Sequence, residues 1–227
     1  MEAFILAAVS LTIAISLIIY KKNDPAQLAF ASLCLAIFIH KTGVFFHGVF
    51  RADFIRFIEY SAFLSLPPLI IRFCRLFLKE HTLFSRDDIL STSLFGIAVG
   101  LSFFAPLYHS PYLQGMLNLY VAYVILLSYL ALIDYIRKRA VGVERRRMRY
   151  LAIALSIAAV LSAIEIFYYF GTGFPPLSNL VIAALLYFIL LIIAYPHLTQ
   201  LHELMAKTLV VSVITAFAVV LFYLVSG

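Results

Sequence analysis

Arg137–Arg149 reads RKRAVGVERRRMR; seven of its thirteen residues are Arg or Lys, and Glu144 is the one acid among them. The stretch falls between two apolar runs of hydrocarbon length, Tyr112–Ile136 and Tyr150–Phe170. A connection so short and so cationic stays on the cytoplasmic side of a bilayer, because carrying its charges across is disfavoured. Helices of membrane length on both flanks argue against a nucleic-acid patch, which would need a soluble domain behind it. Arg137, Lys138, Arg139, Arg145, Arg146, Arg147 and Arg149 are therefore expected to form a basic cytoplasmic loop. Every other segment is oriented from it.

Composition points the same way. Hydrophobic residues make up 64% of the chain and charged residues 12%, with a mean hydropathy of +1.05. Soluble domains are about 45–50% apolar and about 25% charged, so the lipid bilayer is the expected partner. Eight apolar runs approach the roughly 20 residues needed for one crossing. They are Ala3–Tyr20, Leu28–Phe50, Phe54–Leu78, Ile89–Leu107, Tyr112–Ile136, Tyr150–Phe170, Leu177–Tyr195 and Thr208–Val225. The expected fold is an all-α polytopic membrane bundle of about eight transmembrane helices, seven plus one additional C-terminal helix. Residues 1–199 form its main domain, and residues 200–227 form a connector and the final helix. The first run lacks a basic n-region and an obvious small-residue cleavage site, so it reads as a retained helix. Cys34 and Cys74 form no CxxC pair and read as buried, reduced thiols.

With the basic stretch inside, the N-terminus lies outside in the plasma (cytoplasmic) membrane. Lys21, Lys22, Arg72, Arg75, Lys79, Arg86 and Lys207 then join the inner set, leaving only Lys41, Arg51 and Arg56 in the outer half. An eighth crossing would return the C-terminus to the outside.

Ionisable groups at membrane depth are costly and mark candidate sites. His40 and His47 are seven residues apart and share a face of the second helix, with Gly43 between them and Lys41 adjacent. Glu59 on the third helix and Glu165 on the sixth fall at a similar depth, and Asn118, Tyr120 and Tyr169 add polar tips. Together they predict an outward-facing polar pocket on helices 2, 3 and 6 for a small ligand or ion. The competing reading is a set of cross-helix pairs that hold the bundle together. A metal site is disfavoured, since an i, i+7 histidine pair spans two turns. Pro67–Pro68, midway along the third helix, removes two backbone donors and is the candidate hinge.

Catalysis and cofactors find no support. The chain has no GxSxG, HExxH or P-loop motif. The final apolar run has no interior lysine for a Schiff base, Lys207 standing at its edge. A transporter must carry polar positions from one side to the other, yet the inner halves of the fifth and seventh runs are almost wholly apolar. Sensor or receptor is thus the leading reading; a small transporter or channel, or a structural subunit of a membrane complex, is the alternative.

Three stretches resemble the N-terminal seven-helix sensor region of histidine kinases. They are ERRRMRYLAIALSIA at Glu144–Ala158, LPPLIIRFCRLFL at Leu66–Leu78, and the run from Phe174 to Val210 that begins FPPLSNL and ends in a Leu-rich connector. The resemblance implies a membrane-embedded input domain, often a homodimer, that changes the state of a cytoplasmic kinase. The chain departs from that family in carrying no phospho-acceptor helix and no ATP-binding domain.

Overall fold

A computed structural model of the chain describes residues 2–20, 24–50, 52–79, 85–104, 111–169 and 178–194. Those residues form seven helices: α1 Glu2–Tyr20, α2 Pro25–Phe50, α3 Asp53–Phe77, α4 Ser85–Phe104, α5 Pro111–Lys138, α6 Gly142–Tyr169 and α7 Ser178–Ala194. Among them there is no strand. The expected eighth segment, Thr208–Val225, lies outside the described residues, as do Pro175 and Pro176.

Pro25–Phe50, Asp53–Phe77 and Gly115–Lys138 are long and apolar enough to cross a membrane; Ala3–Ile19, Leu90–Ser102 and Asn179–Ala194 are shorter apolar stretches. The surface fits that environment. Ile18, Leu35, Leu94, Leu126, Leu130 and Ile157 all stand exposed on the bundle's flanks, on five different helices. A water-facing monomer rarely exposes apolar patches on that scale.

Local sequence explains the ends of the helices. Asp24 precedes Pro25 and its Oδ1 accepts from the Ala26 amide at 2.9 Å, an N-cap followed by proline in the first turn. The faces follow from 3.6-residue periodicity. On α1, Leu6, Ala7, Ser10, Ile13, Ala14 and Leu17 are buried while Phe4, Ile15, Ile18 and Ile19 are exposed. Ser10 satisfies its hydroxyl on the Leu6 carbonyl at 2.7 Å, so a fully buried serine costs no unpaired donor.

α2 and α3 run antiparallel. Phe30 meets Phe73 at 5.1 Å between ring centroids, His40 meets Phe63 at 5.2 Å, and Gly43 abuts Glu59, so residue numbers rise on α2 as they fall on α3. Packing continues α1–α2–α3–α5–α6–α7 and returns from α7 to α1, a closed ring of six helices; α4 lies against α3. The main core draws on all six ring helices and concentrates toward the end carrying the basic stretch, around Phe30, Phe73, Leu132, Leu151 and Leu186.

One expectation needs amending. The basic stretch is a helical hairpin, not a loop. α5 runs on through Arg137 and Lys138, α6 begins at Gly142, and only Arg139–Val141 lie between them. Arg and Lys are good helix formers, so nothing in the stretch ends a helix except the turn at Gly142, whose φ is +59°. Tyr135 braces the turn by donating its hydroxyl to Glu144 at 2.7 Å. The proline pair lies inside α3, where the third apolar run places it, and the helix continues through Pro67 and Pro68 to Phe77. The two missing amides leave the Phe63 and Leu64 carbonyls without their usual helical donors.

Candidate functional site

At the end of the bundle opposite the basic hairpin, α2 and α3 approach unusually closely. A Cβ on Gly43 would lie 2.8 Å from Glu59 Cβ and 3.1 Å from its Cα, so only glycine permits this contact. The approach lets His40 reach across: its Nδ1 donates to the Glu59 carbonyl at 3.3 Å, and its ring packs on Phe63.

A polar vestibule of about 180 Å³ opens here, lined by His40, Arg56, Glu59, Tyr60, Phe63, Leu117 and Asn118. Of the residues expected from sequence, it unites His40, Glu59 and Asn118. His47, Arg56 and Lys41 are the basic residues that lie near the Glu59 carboxylate. His47 is half-buried, with no hydrogen-bond partner for its Nδ1. Tyr120 sits lower on α5, against the Ile71–Val124 pair. The Glu165 and Tyr169 side chains lie outside the described residues; among those described, Leu117 and Asn118 of α5 join α2 and α3 in the lining.

Arg56 and Tyr60 were not expected in the site. The signal for them was available: positions 56, 59, 60 and 63 follow the i, i+3, i+4, i+7 spacing of one helical face. Arg56 reads as an outer-end charge when only its sidedness is considered.

Below the vestibule lies a second cavity of about 360 Å³. All six ring helices contribute to its wall, and the side chains are almost wholly apolar: Leu6, Leu33, Leu66, Ile125, Leu155 and Ile189 come one from each helix. His40 and Phe63 line both cavities, so they form the partition between them. Lys41 is the single charged residue on the lower wall, beside His40 at its upper end. Ser128 and Tyr129 supply the remaining polar atoms, and Tyr129 already bonds Ser156 of α6 at 2.9 Å. Nothing in the sequence signals this void, because periodicity shows which face of a helix turns inward but not whether the inward faces meet.

The basic hairpin performs a structural task at the other end. Arg147 donates to the carbonyl of Ile192, in the last turn of α7, where helix carbonyls lack amide partners and the dipole favours a cation. Burial lowers its guanidinium from the ordinary value, with the Glu144 charge acting the other way, and it remains a cation. Arg137, Lys138, Arg139, Arg145, Arg146 and Arg149 are exposed, with Lys138 on Asp134 at 2.7 Å.

Among the described residues no three His, Cys, Asp or Glu side chains gather as metal ligands. Cys34 and Cys74 are free thiols. Comparison of the chain with protein-family models, with curated proteins and with solved structures found no match, so the chemistry of the site rests on its geometry.

Proposed function

We propose that the chain is a non-catalytic, multi-pass receptor module of the plasma membrane, with its N-terminus outside and its basic hairpin in the cytoplasm. One observation carries the reading: among the described residues that line the two cavities, charged side chains are confined to the vestibule and its floor at Lys41, and the space beneath is almost wholly apolar. A pocket that is polar on one side only suits binding. A translocation path for a polar solute would need polar groups to continue to the far end. The placement of basic residues supports the orientation, and the resemblance to histidine-kinase input domains supplies the kind of output, a cytoplasmic kinase or other effector.

The relay follows from α3. It holds Arg56, Glu59, Tyr60 and Phe63 on the vestibule, then the two prolines, then Arg72 and Arg75 toward the cytoplasmic end. A ligand must prefer one of two conformations to send a signal. Tilting of the lower half of α3 at Pro67–Pro68, where two ladder bonds are missing, is the element it would bias.

Spin labels on cysteines at the exposed positions Arg72 and Arg137 report the inner separation of α3 and α5. His40→Ala should shift that distance distribution, and Pro67→Ala with Pro68→Ala should weaken the shift. An inner distance unmoved by His40→Ala, in protein whose outer labels show an altered vestibule, would make the bundle a rigid scaffold.

A further inference from the structure

We propose that the lower cavity binds a single-chain amphiphile with a carboxylate head, its head between His40 and Lys41 and its hydrocarbon chain running toward Leu78. The inference rests on the receptor reading for its purpose, but on the cavity alone for its chemistry.

Shape comes first. The α3 wall extends from Phe63 to Leu78, fifteen residues and so about 22 Å of helix. The cavity of about 360 Å³ is lined along that whole length of α3. An elongated apolar space of that volume suits one hydrocarbon chain laid along the helix. At roughly 30 Å³ for each non-hydrogen centre, it holds on the order of a dozen atoms.

Polarity sets the direction. The far end, at Phe77, Leu78 and Leu132, offers only carbon. The near end has the Lys41 ammonium and the His40 ring. An ammonium has three N–H donors, so it can hold a ligand oxygen together with a protein acceptor. Glu59 lines the vestibule and not this wall, so the charged group on the tube's own lining is the Lys41 ammonium, which also lies near the Glu59 carboxylate. A cationic amphiphile would be repelled there, and a neutral one would forgo the charge-assisted bonds.

The test uses the chain in phosphatidylcholine nanodiscs and dodecanoate carrying a diazirine at its terminal carbon. Photolabelling should map by mass spectrometry to the lower wall, at Phe77, Leu132 or Leu151. Unlabelled dodecanoate should compete at least about tenfold better than its methyl ester or dodecyltrimethylammonium. Lys41→Gln should lower labelling about tenfold, and Ser128→Phe, which fills the tube from α5, should abolish it with the melting curve retained. Ser128→Phe keeps the proposal testable if Lys41→Gln fails to fold.

Labels confined to outward-facing positions such as Leu126 and Leu130 would overturn the proposal. So would equal competition by the cationic amphiphile, or by a two-chain phosphatidylglycerol. Specific labelling that leaves the Arg72–Arg137 distance unchanged would instead overturn the receptor reading and leave the binding site standing.

Discussion

Gly43 is the residue on which the vestibule depends. Because its missing side chain admits the Glu59 backbone, Gly43→Ala must push two helices apart, and backbone rather than a flexible tip has to move. Overpacking of this kind costs about 1–3 kcal/mol. Thermal melting of Gly43→Ala in nanodiscs should show that loss. Gly48→Ala, with nothing within 4 Å of the added carbon, should melt within about 0.5 kcal/mol of the parent. Arg147 offers a second test at this scale. Arg147→Met keeps much of the stem's packing but removes the donor to Ile192, and should cost about 1–2 kcal/mol in the same assay. An unchanged melting curve would mean that water serves the α7 carbonyls equally well.

Among the elements, the α5–α6 hairpin shows most clearly what a sequence hides. Hydrophobic length located its two helices, since a run of apolar residues bounded by charge can be little else in this composition. It could not tell that the charged boundary was itself helical, because the transfer cost of Arg and Lys marks where hydrocarbon ends and not where hydrogen bonding ends. The same limit explains α3. Prolines predict lost bonds at Phe63 and Leu64, but whether neighbours hold the helix together through them is a tertiary matter. His40, Glu59 and Asn118 were legible as a group because they are polar at similar depth; Arg56 and Tyr60 needed the helical register of α3 as well. The bond from Tyr129 to Ser156 measures how firmly the hairpin is tied. A double-mutant cycle with Tyr129→Phe and Ser156→Ala should give a coupling near 0.6 kcal/mol and below about 1.7 kcal/mol, the range for such bonds between membrane helices. Coupling indistinguishable from zero would leave apolar packing as the hairpin's main support.

For the molecule as a whole, sidedness decides whether the vestibule faces a ligand. On a background with Cys34→Ala and Cys74→Ala, Tyr112→Cys and Val141→Cys place single thiols at exposed positions on opposite ends. An impermeant maleimide added to intact cells should label the first and spare the second. The reverse pattern would turn the vestibule toward the cytoplasm and defeat the proposed direction of signalling.

The return contact from α7 to α1 has a bearing on how the bundle is made. A ribosome delivers α1 first and, of the helices described, α7 last, so the seam joining them cannot form until the 157 residues between Tyr20 and Ser178 have been made. Before then the inward faces of the earlier helices make an open trough, and lipid tails are free to lie where the tube will be. Closing the ring must then either expel a tail or trap one. The cavity's volume and apolar lining suit a trapped chain, so the newly synthesised protein would acquire its first occupant from the membrane during assembly, and any later ligand would bind by exchange.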